Sequence, residues 1–117
     1  MRMREMVGRT GVSERLLRYY EAQGLLAPAR LPSGYREYSE ADVATVRRIR
    51  TLLNAGLSTA VIAQVLPCVC DDGPRLVPTC QDMVAQLRDE RSRIEATIGD
   101  LQASRDLLNE VISAAPN

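Results

Sequence analysis

The fold is decided by residues 13–39, which read SERLLRYYEAQGLLAPARLPSGYREYS. Ser13 is a good N-cap for a helix that runs to Gly24, since glycine suits the left-handed position just after a helix. Two prolines then forbid a continuous helix, and Ser33-Gly34 favours a tight turn between short extended arms. The stretch therefore predicts a helix followed by a β-hairpin, or wing.

A second short helix is predicted before this stretch. Met3, Met6 and Val7 share one face of a helix over residues 2–9, and Gly11 supplies a tight turn into the next helix. Two short helices joined by such a turn form a helix-turn-helix.

Two more helices are predicted after the wing. Ser39 and Asp42 have the spacing of a capping box for a helix that runs to Gly56, and Ser58 caps a short helix that ends before Pro67. With no Phe or Trp in the chain, the core must be packed by aliphatic side chains. The residues expected on the buried helix faces are Leu16, Leu17, Val43, Val46, Ile49, Leu53, Val61, Ile62, Val65 and Leu66.

The remaining chain predicts a linker and one long helix. Residues 67–79, PCVCDDGPRLVPT, hold three prolines and a glycine and are expected to form a linker loop. Over residues 80–115 an apolar residue recurs every seven positions, which predicts an uninterrupted helix of about 34 residues, about 51 Å long. A partner subunit is the simplest cover for this stripe, and packing against the chain's own head is the alternative. The expected dimer contacts are Val84, Leu87, Ile94, Ile98, Leu101, Leu108 and Ile112.

Charge is divided between the two halves of the chain. Residues 1–66 carry ten arginines against six acids, a net charge of +4, whereas residues 67–117 carry five against nine, a net charge of −4. All fifteen basic residues are arginines, whose planar guanidinium groups pair well with phosphate and with guanine edges. The basic head is therefore a candidate nucleic-acid surface, although the net charge of the whole chain is zero.

A set of motif residues gives the chain a specific resemblance. Arg18-Tyr19-Tyr20-Glu21, Gly24-Leu25-Leu26, Arg30, Gly34-Tyr35-Arg36 and Tyr38 together resemble the MerR family of bacterial transcriptional regulators. The resemblance implies a mainly α fold, in which a winged helix-turn-helix DNA-binding domain over residues 1–66 is followed by a long helix. In the dimer, that helix forms an antiparallel coiled coil. It also implies a sequence-specific regulator that distorts double-stranded promoter DNA and acts on RNA polymerase through the shared promoter.

The resemblance also implies which residues contact DNA. Arg15 and Arg18 are expected to contact the major groove or phosphate, and Tyr20, Arg36 and Tyr38 are expected to contact phosphate. Tyr19 and Tyr35 are expected to be core aromatics. Three arginines of the third helix are weaker DNA-binding candidates, namely Arg47, Arg48 and Arg50.

The cysteines allow three interpretations. Cys68 and Cys70 lie in the predicted linker, and Cys80 lies at the start of the long helix, where the helix dipole favours a thiolate. They are candidates for a redox or electrophile switch, for a thiolate-bound metal ion completed across the dimer, or for packing alone. No cofactor is certain, because the chain has no His and no Cys after Cys80.

Other classes of protein fit the sequence less well. An enzyme is not expected, because the chain has no His, no βαβ pattern and little room for a cleft, although a small thiol oxidoreductase using Cys68 and Cys70 is a conceivable rival. An effector-independent architectural or phage-type DNA-binding protein is the closer alternative. No membrane span or signal peptide is recognised, so a cytoplasmic location is expected.

Overall fold

The computed structural model describes all residues from Met1 to Asn117 and divides into two compact units, Met1–Thr79 and Cys80–Asn117. The first unit is a mainly helical head with two short hairpins, and the second is one long helix with a short tail. The mainly α class and the order of helices and wing expected from the sequence are confirmed.

The helix-turn-helix consists of α1 (Met3–Thr10) and α2 (Glu14–Ala22). The Ser13 hydroxyl accepts a hydrogen bond from the Leu16 amide at 3.2 Å, which caps α2 as predicted. Gly24 then adopts a left-handed φ of 74°, a conformation that residues with a Cβ rarely adopt. Helix α2 therefore begins and ends where Ser13 and Gly24 predict.

The wing is an antiparallel pair of two-residue strands, β1 (Ala29–Arg30) and β2 (Arg36–Glu37), with Arg30 opposite Arg36. It is followed by α3 (Glu40–Asn54), where Ser39 and Asp42 form both hydrogen bonds of the predicted capping box. The fourth helix, α4 (Thr59–Val65), is capped by Ser58, as expected.

An aliphatic core holds the head together. Its fully buried side chains are Met6, Val12, Leu17, Val43, Val46, Ile49, Ile62 and Val65. Leu16, which was expected on a buried face, is exposed, and in α3 Leu52 is buried whereas Leu53 is only partly buried. Val61 and Leu66 are also only partly buried.

The segment predicted as a linker loop is an ordered hairpin. A 3-10 turn (Leu66–Cys68) leads into β3 (Val69–Asp72), which pairs antiparallel with β4 (Arg75–Pro78). The two-residue turn between the strands begins with Gly73, at φ 62°, and places a proline second, where its fixed φ is tolerated. The prolines therefore lie at the turn and the strand ends, so they do not prevent pairing.

The hairpin is tied to the head by an ion pair. The Nε and Nη2 atoms of Arg48 donate to the two carboxylate oxygens of Asp71, at 3.1 and 2.9 Å. This bidentate bond holds the pKa of the Asp71 carboxyl below its usual value. Arg48 is therefore a structural residue of the head, while Arg47 and Arg50 remain exposed beside it.

The second unit contains α5 (Gln81–Ser113), a helix of 33 residues that is about 50 Å long at 1.5 Å per residue. Its apolar stripe is largely exposed in the single chain, and Leu101 is 65% exposed. The other large exposed apolar residues of the helix are Ile94, Ile98, Leu107, Leu108, Val111 and Ile112.

Candidate nucleic-acid interface

The exposed face of α2 carries both arginines predicted to contact DNA. Arg15 and Arg18 are exposed, and Arg18 forms an ion pair with Glu14 at 2.5 Å, one helical turn earlier. Leu16 and Tyr19 are exposed on the same face. The expectation that Tyr19 is a core aromatic is therefore wrong, because α2 buries Leu17 and Tyr20 instead.

The four tyrosines are distributed differently from the expectation. Tyr20 and Tyr38 are only 3% and 2% exposed, whereas Tyr35 is 63% exposed, so its expected core position is also wrong. The Tyr38 hydroxyl lies 3.6 Å from the sulfur of Met3, and burial raises its pKa. Phosphate contact by Tyr20 and Tyr38 remains a prediction. Because both side chains are buried, they contribute little area to the predicted DNA-binding surface and mainly support it from below.

Glu21 joins α2 to the wing. One of its carboxylate oxygens accepts a hydrogen bond from Arg36 Nε at 2.6 Å, and the other accepts one from an Arg30 terminal nitrogen at 3.0 Å. Arg30 also donates to the Gly34 carbonyl oxygen at 3.1 Å, within the turn of the wing. The bond to Arg36 uses only Nε, so the in-plane terminal nitrogens of this predicted DNA contact can still donate to a phosphate.

The charge of Glu21 is favoured by its partners. Burial alone would raise the pKa of its carboxyl, but the hydrogen bonds from Arg36 and Arg30 outweigh burial and lower the pKa below its ordinary value. Because the pKa is depressed in the folded protein, Glu21 stabilises the head above its unfolded-state pKa of about 4.3, and this stabilisation is lost as the pH falls through the folded value.

We expect Glu21→Gln to lower the melting temperature at pH 7 by several degrees, which corresponds to a loss on the order of 1 kcal/mol in the free energy of unfolding. The reason is that the variant removes the carboxylate charge that strengthens the hydrogen bonds from Arg36 and Arg30. The difference from wild type should shrink as the pH falls below about 4.3, where the wild-type carboxyl also becomes neutral. Thermal unfolding followed by circular dichroism between pH 3 and 7 measures this. Glu5→Gln, at an exposed position of α1, is the control, and a Glu21→Gln difference that persists at pH 3 would contradict the assignment.

A basic groove lies between the helix-turn-helix and the wing. It has a volume of about 840 Å³ and is bordered by the start of α1, the first turns of α2 and the tip of the wing. Four of its lining residues are basic and one is acidic, so the groove has a formal charge of +3. The charged lining residues are Arg2, Arg4, Glu14, Arg18 and Arg36. Arg2 and Arg4 are not predicted as DNA-binding residues by their local sequence.

The cysteines differ in chemical state. Cys68 and Cys80 are each disulfide-bonded, whereas Cys70 has a free and exposed thiol. Within the head, the Thr79 amide donates to the Cys68 carbonyl oxygen at 2.7 Å, which extends the β3–β4 pairing by one step. Cys80 follows Thr79 directly and is the N-cap residue of α5.

The structure contains no grouping of three or more His, Cys, Asp or Glu side chains that could hold a metal ion. Cys68 and Cys80 are disulfide-bonded in this structure, and only their reduced thiolates could bind a metal ion. This single chain therefore supplies no complete thiolate site by itself, and a site completed across the dimer stays a prediction.

Comparisons with known proteins agree with this geometry. Residues 1–67 match the model of the MerR HTH family regulatory proteins, so the chain belongs to the MerR family. Members of this family are DNA-binding transcriptional regulators and not enzymes, as predicted.

Individual relatives extend the match beyond the head. The HTH-type transcriptional regulator HmrR of Sinorhizobium medicae is 45% identical over 58 residues, which are 49% of this chain and 40% of that protein. The chain thus spans about two fifths of that relative's length. A probable heavy metal-dependent transcriptional regulator of Haemophilus influenzae is 32% identical over 91% of this chain and 86% of its own length.

Among solved structures, the lead(II) complex of the transcription regulator PbrR691 from Ralstonia metallidurans has the same fold. Its TM-score is 0.81 at 24% identity, with 100% of this chain and 88% of that chain covered. None of the helices contains an apolar stretch of the length that a membrane span requires.

Proposed function

We propose that this chain is a sequence-specific regulator that binds promoter DNA as a homodimer and distorts it to control transcription. The observation that carries the proposal is the basic groove, together with the exposed arginines of α2 beside it. In a winged helix-turn-helix, the second helix enters the major groove and the wing lies along the neighbouring backbone. Arginines on both elements suit that placement.

The proposed contacts divide into two groups. Arg15 and Arg18 extend from α2 towards base edges or phosphate, and Arg36 binds phosphate from the wing. Tyr20 and Tyr38 are buried, so we assign them chiefly to holding α2 and the wing in position. Leu16 and Tyr19 add apolar surface to the exposed face of α2, which suits contact with thymine methyl groups or sugars.

We expect Arg18→Ala to weaken DNA binding by about 1 to 3 kcal/mol with little change in melting temperature, because Arg18 is exposed and its ion pair with Glu14 is a surface pair. Arg15→Ala should behave similarly. Arg36→Ala is a less clean variant, since it also removes a partner of Glu21. Fluorescence anisotropy with the tightest duplex selected from a random-sequence pool measures the affinity.

Arg93→Ala on α5 is a matched control, because Arg93 is exposed, forms a surface ion pair with Glu90, and lies outside both the basic groove and the apolar stripe. Wild-type affinity in both Arg15→Ala and Arg18→Ala would place the DNA-binding surface elsewhere on the head. Failure of the wild-type protein to enrich any duplex would overturn the proposed function itself.

Dimerisation through α5 is part of the proposal. The exposed apolar stripe of a 33-residue helix needs a cover, and a second copy in antiparallel orientation would provide one. Two heads joined in this way can meet successive major grooves about 34 Å apart. The energy needed to bend the intervening DNA, on the order of several kcal/mol, then gives the dimer a way to control access of RNA polymerase.

We further propose that Cys68 and Cys80 form a reversible disulfide with each other, and that this bond is the regulatory signal. A protein that acts on promoter DNA works where thiols are usually kept reduced, and disulfides found there are mostly transient and redox-sensing. The Cys80 thiolate, favoured at the start of α5, would attack a peroxide to give a sulfenic acid and hydroxide. The Cys68 thiol would then displace the sulfenic oxygen as water and close the disulfide.

Metal sensing is the second candidate, because a probable heavy metal-dependent regulator is among the relatives. It requires both disulfide-bonded cysteines to be reduced, and further ligands from a partner chain, since this chain supplies no cluster of three. If neither oxidants nor thiophilic metals change the transcriptional activity, the chain is instead an effector-independent DNA-binding protein.

A further inference from the structure

The side chain of Arg2 lies over the exposed ring of Tyr35. The guanidinium carbon of Arg2 is 4.8 Å from the centroid of the ring, which is a cation–π distance. Tyr35 is at the tip of the wing and is 63% exposed. The pair therefore connects the start of α1 to the wing at the border of the basic groove.

The geometry leaves Arg2 able to bind a second partner. Stacking uses the flat face of the guanidinium group, while its five N–H donors point outwards in the plane. No ion pair joins Arg2 to an acidic side chain, in contrast to Arg36 and Arg30, which share Glu21. Arg2 thus has a free donor edge and a ring that limits its rotamers, so little side-chain entropy is lost when it binds an anion.

The ligand follows from the position and the charge. Arg4 lines the same groove and Glu14 is its single acidic residue, already paired with Arg18. The groove is open, strongly basic and continuous with the exposed face of α2, so an extended polyanion suits it better than a small enclosed ligand. A phosphodiester backbone that borders the major groove at α2 would reach this basic groove next.

We propose that Arg2, held on the ring of Tyr35, is a phosphate-binding residue that extends the DNA surface from α2 and the wing onto the start of α1. The inference rests on the proposed function, because it assumes that α2 contacts the same duplex. Tyr35 acts here as a positioning residue: its ring, and not its hydroxyl, holds the guanidinium group in place.

The test is a cycle of four proteins with the selected duplex: wild type, Arg2→Ala, Tyr35→Leu and the double variant. We expect Arg2→Ala to weaken binding by about five- to tenfold and to flatten the log–log salt dependence by about one ion. Tyr35→Leu should weaken binding by a smaller factor. The double variant should bind no worse than Arg2→Ala, because without Arg2 the ring has no cation to position.

Two further variants separate the alternatives. Tyr35→Phe keeps the ring and should bind like wild type, and a loss in that variant would show that the hydroxyl contacts DNA instead. Arg2→Lys keeps the charge without the planar stack and should fall between wild type and Arg2→Ala. Unchanged melting temperatures exclude a folding effect.

The outcomes also distinguish this inference from the function on which it rests. An unchanged salt slope in Arg2→Ala, or additive losses in the double variant, would overturn the inference while a loss in Arg18→Ala still supports DNA binding by α2. If Arg2→Ala and Arg18→Ala both bind DNA like wild type, both assignments are overturned.

Discussion

Leu101→Asp is expected to convert the protein from a dimer to a monomer. Leu101 lies on the apolar stripe of α5 and is 65% exposed in the single chain, so its side chain is free to pack against a partner. If two helices overlap antiparallel along residues 80–115, Ile98 and Leu101 lie near their midpoint, where an aspartate would be buried in each copy. An uncompensated buried charge costs about 3 to 5 kcal/mol, which is enough to separate a marginal coiled coil. Sedimentation equilibrium measures the change.

Ala103→Asp is the matched control, because position 103 is exposed on the face of α5 opposite to Leu101. It should remain a dimer. The monomeric variant should also lose DNA affinity by about 100-fold or more, since a single head lacks the second half-site contact. A Leu101→Asp protein that sediments as a dimer would refute the coiled-coil interface.

Cys80→Ser is expected to abolish the response to peroxide while leaving the affinity of the reduced protein for DNA nearly unchanged. Cys80 lies outside the basic groove, so its side chain is not needed for the proposed DNA contacts. Without its sulfur, the disulfide proposed with Cys68 cannot form. Peroxide should lower the intact mass of the reduced wild-type protein by about 2 Da, the two hydrogens lost on disulfide formation. No such loss should occur in Cys80→Ser.

The other two cysteines provide the controls. Cys68→Ser should behave like Cys80→Ser, whereas Cys70→Ser should keep the mass change and the transcriptional response, because Cys70 has a free thiol in the structure. If all three variants respond to peroxide like wild type, the thiols have no sensing role. A response of the reduced protein to thiophilic metals, lost in Cys80→Ser, would favour the metal alternative.

Local signals were sufficient to predict most elements of the head. The hydroxyls of Ser13, Ser39 and Ser58 each cap a helix where the sequence places it, and Gly24 adopts the left-handed conformation that ends α2. These features depend on hydrogen bonds within a few residues, so they are readable without knowledge of the tertiary structure.

The buried face of α2 could not be read in this way. Leu16 with Tyr19, and Leu17 with Tyr20, are two adjacent pairs with the same helical spacing, and periodicity cannot choose between them. The packing of α2 in the head buries the second pair and exposes the first. The same limitation applies to Arg2, whose role depends on a ring 33 positions further along the chain.

The β3–β4 hairpin is not predicted from the sequence, because prolines in a short segment normally indicate a loop. Pro74 and Pro78 occupy the turn and the last strand position, where they do not interrupt the pairing. The ion pair between Arg48 and Asp71 also joins residues that are 23 positions apart, which no local pattern reveals.

The hairpin also changes the thermodynamic meaning of a bond between Cys68 and Cys80. Closing a flexible ring of this size costs about 3 kcal/mol in chain entropy. A disulfide normally stabilises a protein because it imposes this loss of entropy on the unfolded chain. In the folded head, the β3–β4 ladder already brings Thr79, the residue before Cys80, to Cys68. The disulfide proposed above would therefore need little further ordering of the chain. A high effective concentration of one thiol near the other favours closure at low oxidant levels and makes its rate independent of protein concentration. On that proposal, the hairpin would act as a template for closure of the ring.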